Sequence, residues 1–187
     1  MNVIIFGPPG AGKGTQAQNI VKKFKLYQIS TGDLLRNEVK NRTEIGKDIE
    51  NIISKGDFAT DEIVNELIKN AIFDVTKKNN LIFDGYPRSL SQAKNLDLLM
   101  QNSDQKIDFI FYLNVKKDTI IKRIEKRKIL EKRADDNLPT ILKRYDAYMD
   151  TTKPVLDYYS KKINFYEIDG GEKIEQISSK IEQILSV

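Results

Sequence analysis

The sequence predicts an α/β protein: a parallel five-stranded sheet flanked by helices. Three observations carry this. Five apolar strand-like runs alternate with helical patterns along the 187 residues, the order expected of right-handed βαβ crossovers. The runs at 3–6, 81–83 and 109–113 are almost wholly apolar, as strands buried on both faces are. The first run leads through Gly7-Pro8-Pro9-Gly10-Ala11-Gly12-Lys13-Gly14-Thr15 into a helical pattern. That is a glycine loop in the strand–loop–helix setting of a phosphate-binding P-loop.

The elements follow in order. Strands are expected at Val3–Phe6, Leu26–Ile29, Leu81–Phe83, Phe109–Leu113 and Asn164–Ile168. A helix over Thr15–Phe24 continues from the loop. Thr60–Thr76 places Ile63, Val64, Leu67, Ile68, Ala71 and Ile72 at helical spacing. Further helices are expected over Thr119–Arg127, Pro139–Met149 and Glu172–Leu185, each with an apolar stripe facing the core. Two regions interrupt the alternation. Residues 30–59 hold two short helical patterns and no strong strand, the first at Asp33–Val39. Residues 128–137 are short and polar. Both read as excursions over the strand ends, where moving lids are placed. Asp135-Asp136-Asn137 before Pro139 reads as a helix N-cap with proline in the first turn, a hinge being the sharper alternative.

Composition narrows the chemistry. The length suits one domain, and mean hydropathy is −0.47. No apolar run approaches the ~20 residues of a membrane span. The opening apolar run is too short for a signal peptide, so a cytoplasmic protein without a membrane partner is expected. There is no cysteine and no histidine. That excludes disulfides, thiolate metal sites, a histidine base or nucleophile, and most zinc sites. The net charge of +4 would permit nucleic-acid binding. However, the cations are interleaved with Asp and Glu as on solvated helix faces, and no aromatic–basic stacking motif is present, so no nucleic-acid partner is expected. Of 31 basic residues seven are Arg: Arg36, Arg42, Arg88, Arg123, Arg127, Arg133 and Arg144. A chain that otherwise uses Lys spends its planar forks where phosphate must be gripped. Arg42 is the one expected to be an ordinary surface cation.

The loop itself is readable residue by residue. Backbone N–H groups of Gly10–Thr15 would converge on phosphates, aided by the positive end of the helix that follows. Lys13 would reach the β- and γ-phosphates as a point charge. One position departs from the general pattern. Gly14 stands where Ser or Thr usually holds magnesium.

Several motifs line up with one family. Gly7-x-Pro9-Gly10-x-Gly12-Lys13-Gly14-Thr15, Ser30-Thr31-Gly32-Asp33-Leu34-Leu35-Arg36, and Asp84-Gly85-Tyr86-Pro87-Arg88 followed by Gln92 resemble the nucleoside monophosphate kinases, adenylate kinases in particular. So do Arg123-x-x-x-Arg127, Arg133-x-Asp135-Asp136, Arg144 and Asp169-Gly170. The resemblance runs essentially end to end. It implies a P-loop core at 1–29, 60–126 and 138–187, a monophosphate-binding arm at 30–59 and a short lid at 127–137. It implies reversible transfer of the ATP γ-phosphoryl group to AMP, giving two ADP, for adenine nucleotide homeostasis.

The resemblance also assigns roles. Gly10, Ala11, Gly12, Lys13, Gly14 and Thr15 would cradle the ATP phosphates. Arg127 would contact ATP, with Arg123 one helical turn back. Glu172 would offer ATP a backbone carbonyl. Arg36 and Arg88 would grip the AMP phosphate, and Arg133 and Arg144 would lie between the nucleotides. Thr31 and Gln92 would face the AMP adenine, beside the strip Asp57, Phe58, Ala59 and the backbone of Gly85, Tyr86, Pro87 and Arg88. Asp84 would hold Mg²⁺, through water, since magnesium gives up water reluctantly. That would make up for the hydroxyl missing at Gly14. Lys13, Arg88, Arg123, Arg133 and Arg144 are the residues expected to act on the transferring group.

The chemistry fits without the family. Phosphoryl transfer needs positioning and charge neutralisation, with no covalent step by the protein. A chain without His or Cys can supply both. Only Lys128–Lys132 separate Arg127 from Arg133, which resembles the short-lid form and leaves no cysteine for a zinc staple. A pyrimidine (UMP/CMP) monophosphate kinase of the same fold is the alternative, and Thr31 with Gln92 favours adenine. A switch GTPase is disfavoured, because no Asn/Thr-Lys-x-Asp motif is present. A monomer is expected, since no apolar helix face is left over once the sheet is covered.

Overall fold

The computed structural model describes residues 1–55, 57–74, 80–131, 137–162 and 164–186. Strands β1 (Val3–Phe6), β2 (Tyr27–Ser30), β3 (Leu81–Asp84), β4 (Phe109–Asn114) and β5 (Phe165–Asp169) form one sheet in the order β2-β3-β1-β4-β5. Every neighbouring pair is parallel. The five expected strands are all present, each within a residue or so of its expected bounds. The β1 side chains alternate between two cores. Ile4 and Phe6 join one apolar cluster, and Val3 and Ile5 join the other. Both faces of the central strand are therefore buried, which is why its sequence shows no polar alternation.

The chain leaves β1 toward β3 and β2 on one side and reaches β4 and β5 on the other. The loop after β1 thus lies at the point where strand order reverses, the place where such sheets bind ligands. Register puts Asp84 beside Ile5 and Ser30, at the carboxyl edge next to that loop.

The helices are α1 (Lys13–Phe24), α2 (Thr31–Asn41), α3 (Glu44–Ser54), α4 (Asp61–Asp74), α5 (Leu90–Gln101), α6 (Lys117–Glu131), α7 (Leu138–Ser160) and α8 (Ile174–Leu185). Residues 30–59 contain two helices, as expected. Ser30 caps α2 by accepting from the Asp33 N–H, and Thr43 caps α3 by accepting from the Gly46 N–H at 2.9 Å. Asn137 caps α7 by accepting from the Thr140 N–H at 3.0 Å, with proline in the first turn. The cap reading of that segment therefore holds at Asn137.

Three helices differ from expectation. Helix α6 continues past Arg127 to Glu131, because Lys128-Ile129-Leu130-Glu131 contains neither Gly nor Pro and propagation is favourable. Helix α7 runs eleven residues past Met149, through Pro154. Thr152, Val155 and Tyr159, each at most 1% exposed, hold that last stretch against the sheet, and packing overrides the local proline penalty. Helix α5 has only a weak stripe of Ala93, Leu96 and Met100 and was not expected as a separate element; these three residues are buried.

Candidate active site

The P-loop is the most tightly specified part. Gly10 and Gly12 have φ of 82° and 93°, the left-handed region that L side chains avoid. A Cβ at Gly10 would lie 2.8 Å from the Ile124 side chain. Gly12 opens α1 with no side-chain cap, so the first N–H groups of the helix remain available to an anion. Lys13 Nζ donates to the carbonyls of Gly7 (2.7 Å) and Pro8 (3.1 Å). Burial lowers its pKa to about 8; Asp84 opposes this, and Arg88 and Arg127 add to it. Lys13, Asp84, Arg88 and Arg127 therefore share one electrostatic neighbourhood.

Asp84 is 9% exposed and accepts a hydrogen bond at Oδ2 from Gln28 Nε2 at 3.1 Å. Burial raises its pKa; Lys13 and Arg88 pull the other way. A Cβ on Gly14 would stand 3.5 Å from that same Oδ2. The position that lacks the usual hydroxyl thus faces the carboxylate. Among the described residues, Asp84 Oδ1 accepts no hydrogen bond, so its lone pairs suit water on a hard cation. No group of three or more His, Cys, Asp or Glu among the described residues could hold a metal by itself.

Among the arginines, Arg88 is acted on by both Arg144 and Arg36. Arg88 Nε donates to the Gly85 carbonyl at 2.7 Å, and its guanidinium lies 4.7 Å from the Phe58 ring centre. Its pKa is lowered to about 10, first by burial and then by Arg144, with Asp84 and Tyr148 opposing and Arg36 adding a little. Arg144 and Arg36 are thus both near enough to disfavour the charge on Arg88, an arrangement that an anion would relieve. Arg36 pairs with Asp33 at 2.5 Å, and Arg144 Nη2 reaches the Ile53 carbonyl at 3.4 Å. Arg123 bridges the Ala11 carbonyl (3.2 Å) and the Glu172 carbonyl (3.4 Å). It ties the P-loop to the carbonyl expected to meet the donor nucleotide. Arg133, with Asp135 and Asp136, lies outside the described residues. Arg42 is an exposed left-handed C-cap of α2, its N–H bonded to Glu38 and Val39 carbonyls, as suits an ordinary surface cation.

The residues expected around a base divide into two groups. Thr31 is 2% exposed, and its hydroxyl has no hydrogen-bond partner, which is costly for a buried polar group unless a ligand completes it. Gln92, 4% exposed, accepts at Oε1 from the Arg88 N–H and donates from Nε2 to Asp61 Oδ1, both at 2.7 Å. Ala59 is buried and Phe58 packs beneath Arg88. Asp57 instead pairs with Lys143 of α7 at 2.6 Å. The Tyr86 ring is wholly buried, and its hydroxyl donates to Asn65 Oδ1 at 2.7 Å. So Tyr86, like Gly85 and the cis-linked Pro87, can offer a ligand backbone but no ring.

Sequence reading missed two supports. Gln28 orients Asp84, and Thr152 donates to the Arg88 carbonyl at 3.1 Å. Neither carries a motif signal, because each acts on a residue distant in the chain.

A parallel sheet with a P-loop at its switch point, a buried carboxylate beside it and a second gathering of arginines defines a nucleotide-dependent phosphotransferase. A family model described as adenylate kinase matches residues 5–164. The chain is 48% identical to the adenylate kinase of Pelagibacter ubique (strain HTCC1062), with both chains covered in full. It is 41% identical to that of Azobacteroides pseudotrichonymphae genomovar. CFP2, covering 97% of this chain and 95% of the relative. It is 32% identical to that of Thermosipho africanus (strain TCF52B), covering 99% of each. The chain belongs to the adenylate kinase family. The Pelagibacter alignment spans 213 positions against 187 residues here, so that relative carries residues this chain lacks. No described helix is long and apolar enough to cross a membrane.

Proposed function

We propose that this chain moves the terminal phosphoryl group of ATP to AMP, reversibly and with magnesium, giving two ADP. The observation that carries the reading is the second gathering of cations. Lys13 and the P-loop account for one nucleotide's phosphates, whereas Arg88, with Arg144 and Arg36 close enough to act on it, adds cations beyond those of the loop, as a second anion would need.

In this reading the P-loop from Gly10 to Thr15 holds the donor, with Arg127 and the Glu172 carbonyl at its far side. Arg123 keeps that carbonyl and the loop in register. Arg36 and Arg88 hold the AMP phosphate, and Arg133 and Arg144 follow the charge that moves between the two nucleotides. Thr31, with its unpartnered buried hydroxyl, and Gln92 meet the adenine, against Phe58, Ala59 and the backbone of residues 85–88; Asp57 borders that strip. Asp84 would hold magnesium, its carboxylate suiting a hard cation that keeps its water. Bound there, the ion would neutralise phosphate charge and orient the phosphoryl oxygens. Arm 30–59 and lid 127–137 close over the core and exclude water. The enzyme acts as a cytoplasmic monomer on ATP, AMP and ADP, with no nucleic-acid or membrane partner.

The test is an ATP-dependent phosphoryl-transfer assay with AMP, CMP, UMP and GMP. AMP should be favoured in kcat/KM by about 10⁴-fold, the scale on which a site built to hydrogen-bond its substrate rejects an analogue lacking those groups. A clear preference for CMP or UMP would overturn the assignment.

A further inference from the structure

Gln92 is one member of a closed network that nothing in the phosphate chemistry requires. Its Oε1 accepts from the Arg88 N–H at 2.7 Å. Its Nε2 donates to Asp61 Oδ1, also at 2.7 Å. The other oxygen of Asp61 accepts from Ser89 Oγ at 2.7 Å, and that hydroxyl accepts from the Gln92 N–H at 3.1 Å. Asp61 begins α4 and Ser89 caps α5, so both anchors sit at helix ends.

The donors and acceptors fix the carboxamide. A backbone N–H can only donate and an ionised carboxylate can only accept. Rotating the Gln92 amide by half a turn would set its NH₂ against the Arg88 N–H and its oxygen against the Asp61 carboxylate. Both contacts would become repulsive at a position that is 4% exposed. One orientation therefore survives, and it leaves one hydrogen on Nε2 and one lone pair on Oε1. That pair complements a base offering an amino hydrogen beside a ring-nitrogen acceptor, as a 6-aminopurine does. A 6-oxopurine offers a carbonyl acceptor beside a ring N–H, the reverse order, and would need the rotated amide.

We infer that Asp61 is a positioning residue that locks the Gln92 carboxamide to favour a 6-aminopurine monophosphate and reject its 6-oxopurine counterpart. This rests on the placement of Gln92 at the acceptor base. Asp61 need not touch the nucleotide; it acts through Gln92.

The experiment measures kcat/KM for AMP and for inosine monophosphate in the whole chain and in Asp61→Asn, Asp61→Ala and Gln92→Ala. Asparagine at 61 can present either an oxygen or an amino group, so the rotated amide regains a partner; alanine removes the acceptor altogether. Both Asp61 variants should narrow the AMP-to-inosine ratio roughly tenfold, the effect of relieving one mispaired buried contact, with KM for ATP unchanged. A merely structural role would lower both rates together, and a ratio equal to the parent's in the Asp61 variants overturns the inference. Gln92→Ala separates the two levels. If it leaves KM for AMP unchanged, the base placement itself is wrong. If it raises KM for AMP while the Asp61 variants keep the parent ratio, only the lock is wrong.

Discussion

Lys13 shows what a phosphate site demands of a single residue. Its ammonium sits on two carbonyls of its own loop, yet burial lowers its pKa to about 8. An unfolded lysine holds its proton to about 10.4. Below pH 8 both states are protonated and the burial penalty is fully present. Between about 8 and 10.5 the unfolded chain binds more protons, so stability gains from rising pH there. Lys13→Met, without nucleotide, should therefore melt above the parent at pH 7, with the gap closing by pH 10. ATP binding by the parent should weaken as pH rises beyond about 8, because the protonated form grips phosphate, and the Met variant should lack that step. Thermal melts and calorimetric titrations from pH 7 to 10 check both; a variant that melts lower at pH 7 contradicts the account. The P-loop lysine was legible in the sequence because strand, glycines and helix are contiguous. Its pKa was not, since Asp84, Arg88 and Arg127 come from distant segments.

At the scale of elements, the pair α2–α3 depends on one close approach. A Cβ at Gly46 would come 2.1 Å from the Glu38 carbonyl oxygen, and that atom belongs to helix backbone that cannot rotate aside. Gly46→Ala should force the helices apart and cost about 1–3 kcal/mol, the usual range for overpacking. Amide exchange should quicken across 31–54, and KM for AMP should rise while KM for ATP holds. Equal changes in the two constants would deny the arm its separate role. Within 127–137, Arg133→Ala should lower kcat strongly while free ATP affinity barely moves; an unchanged kcat removes Arg133 from the chemistry. Element type was readable wherever periodicity was strong, as in α4 and α8. It was least readable in α7, where Pro154 signals a stop that the buried Val155 and Tyr159 overrule.

For the whole molecule, an anionic ligand should offset the cost of keeping Arg88 charged where it is buried. Burial first, and then Arg144, bring Arg88 down to a pKa of about 10 against the opposing pull of Asp84. A linked two-adenosine polyphosphate at 100 times its Kd should stabilise the fold by about 2.7 kcal/mol, or roughly 5–10 °C at this chain length. Arg88→Ala should lose most of that shift while melting no lower than the parent when empty. An undiminished shift in the variant would place the acceptor phosphate elsewhere. The sequence by itself determined the alternation of strand and helix, the P-loop and the identity of the arginines, because those signals are local or periodic. Only the tertiary structure decided that Gly14 faces Asp84, that Gln28 and Thr152 brace the site, and that Asp61 turns Gln92. Each of those is a contact between segments far apart in the chain, set by how the sheet orders its strands and by which helix ends meet above them.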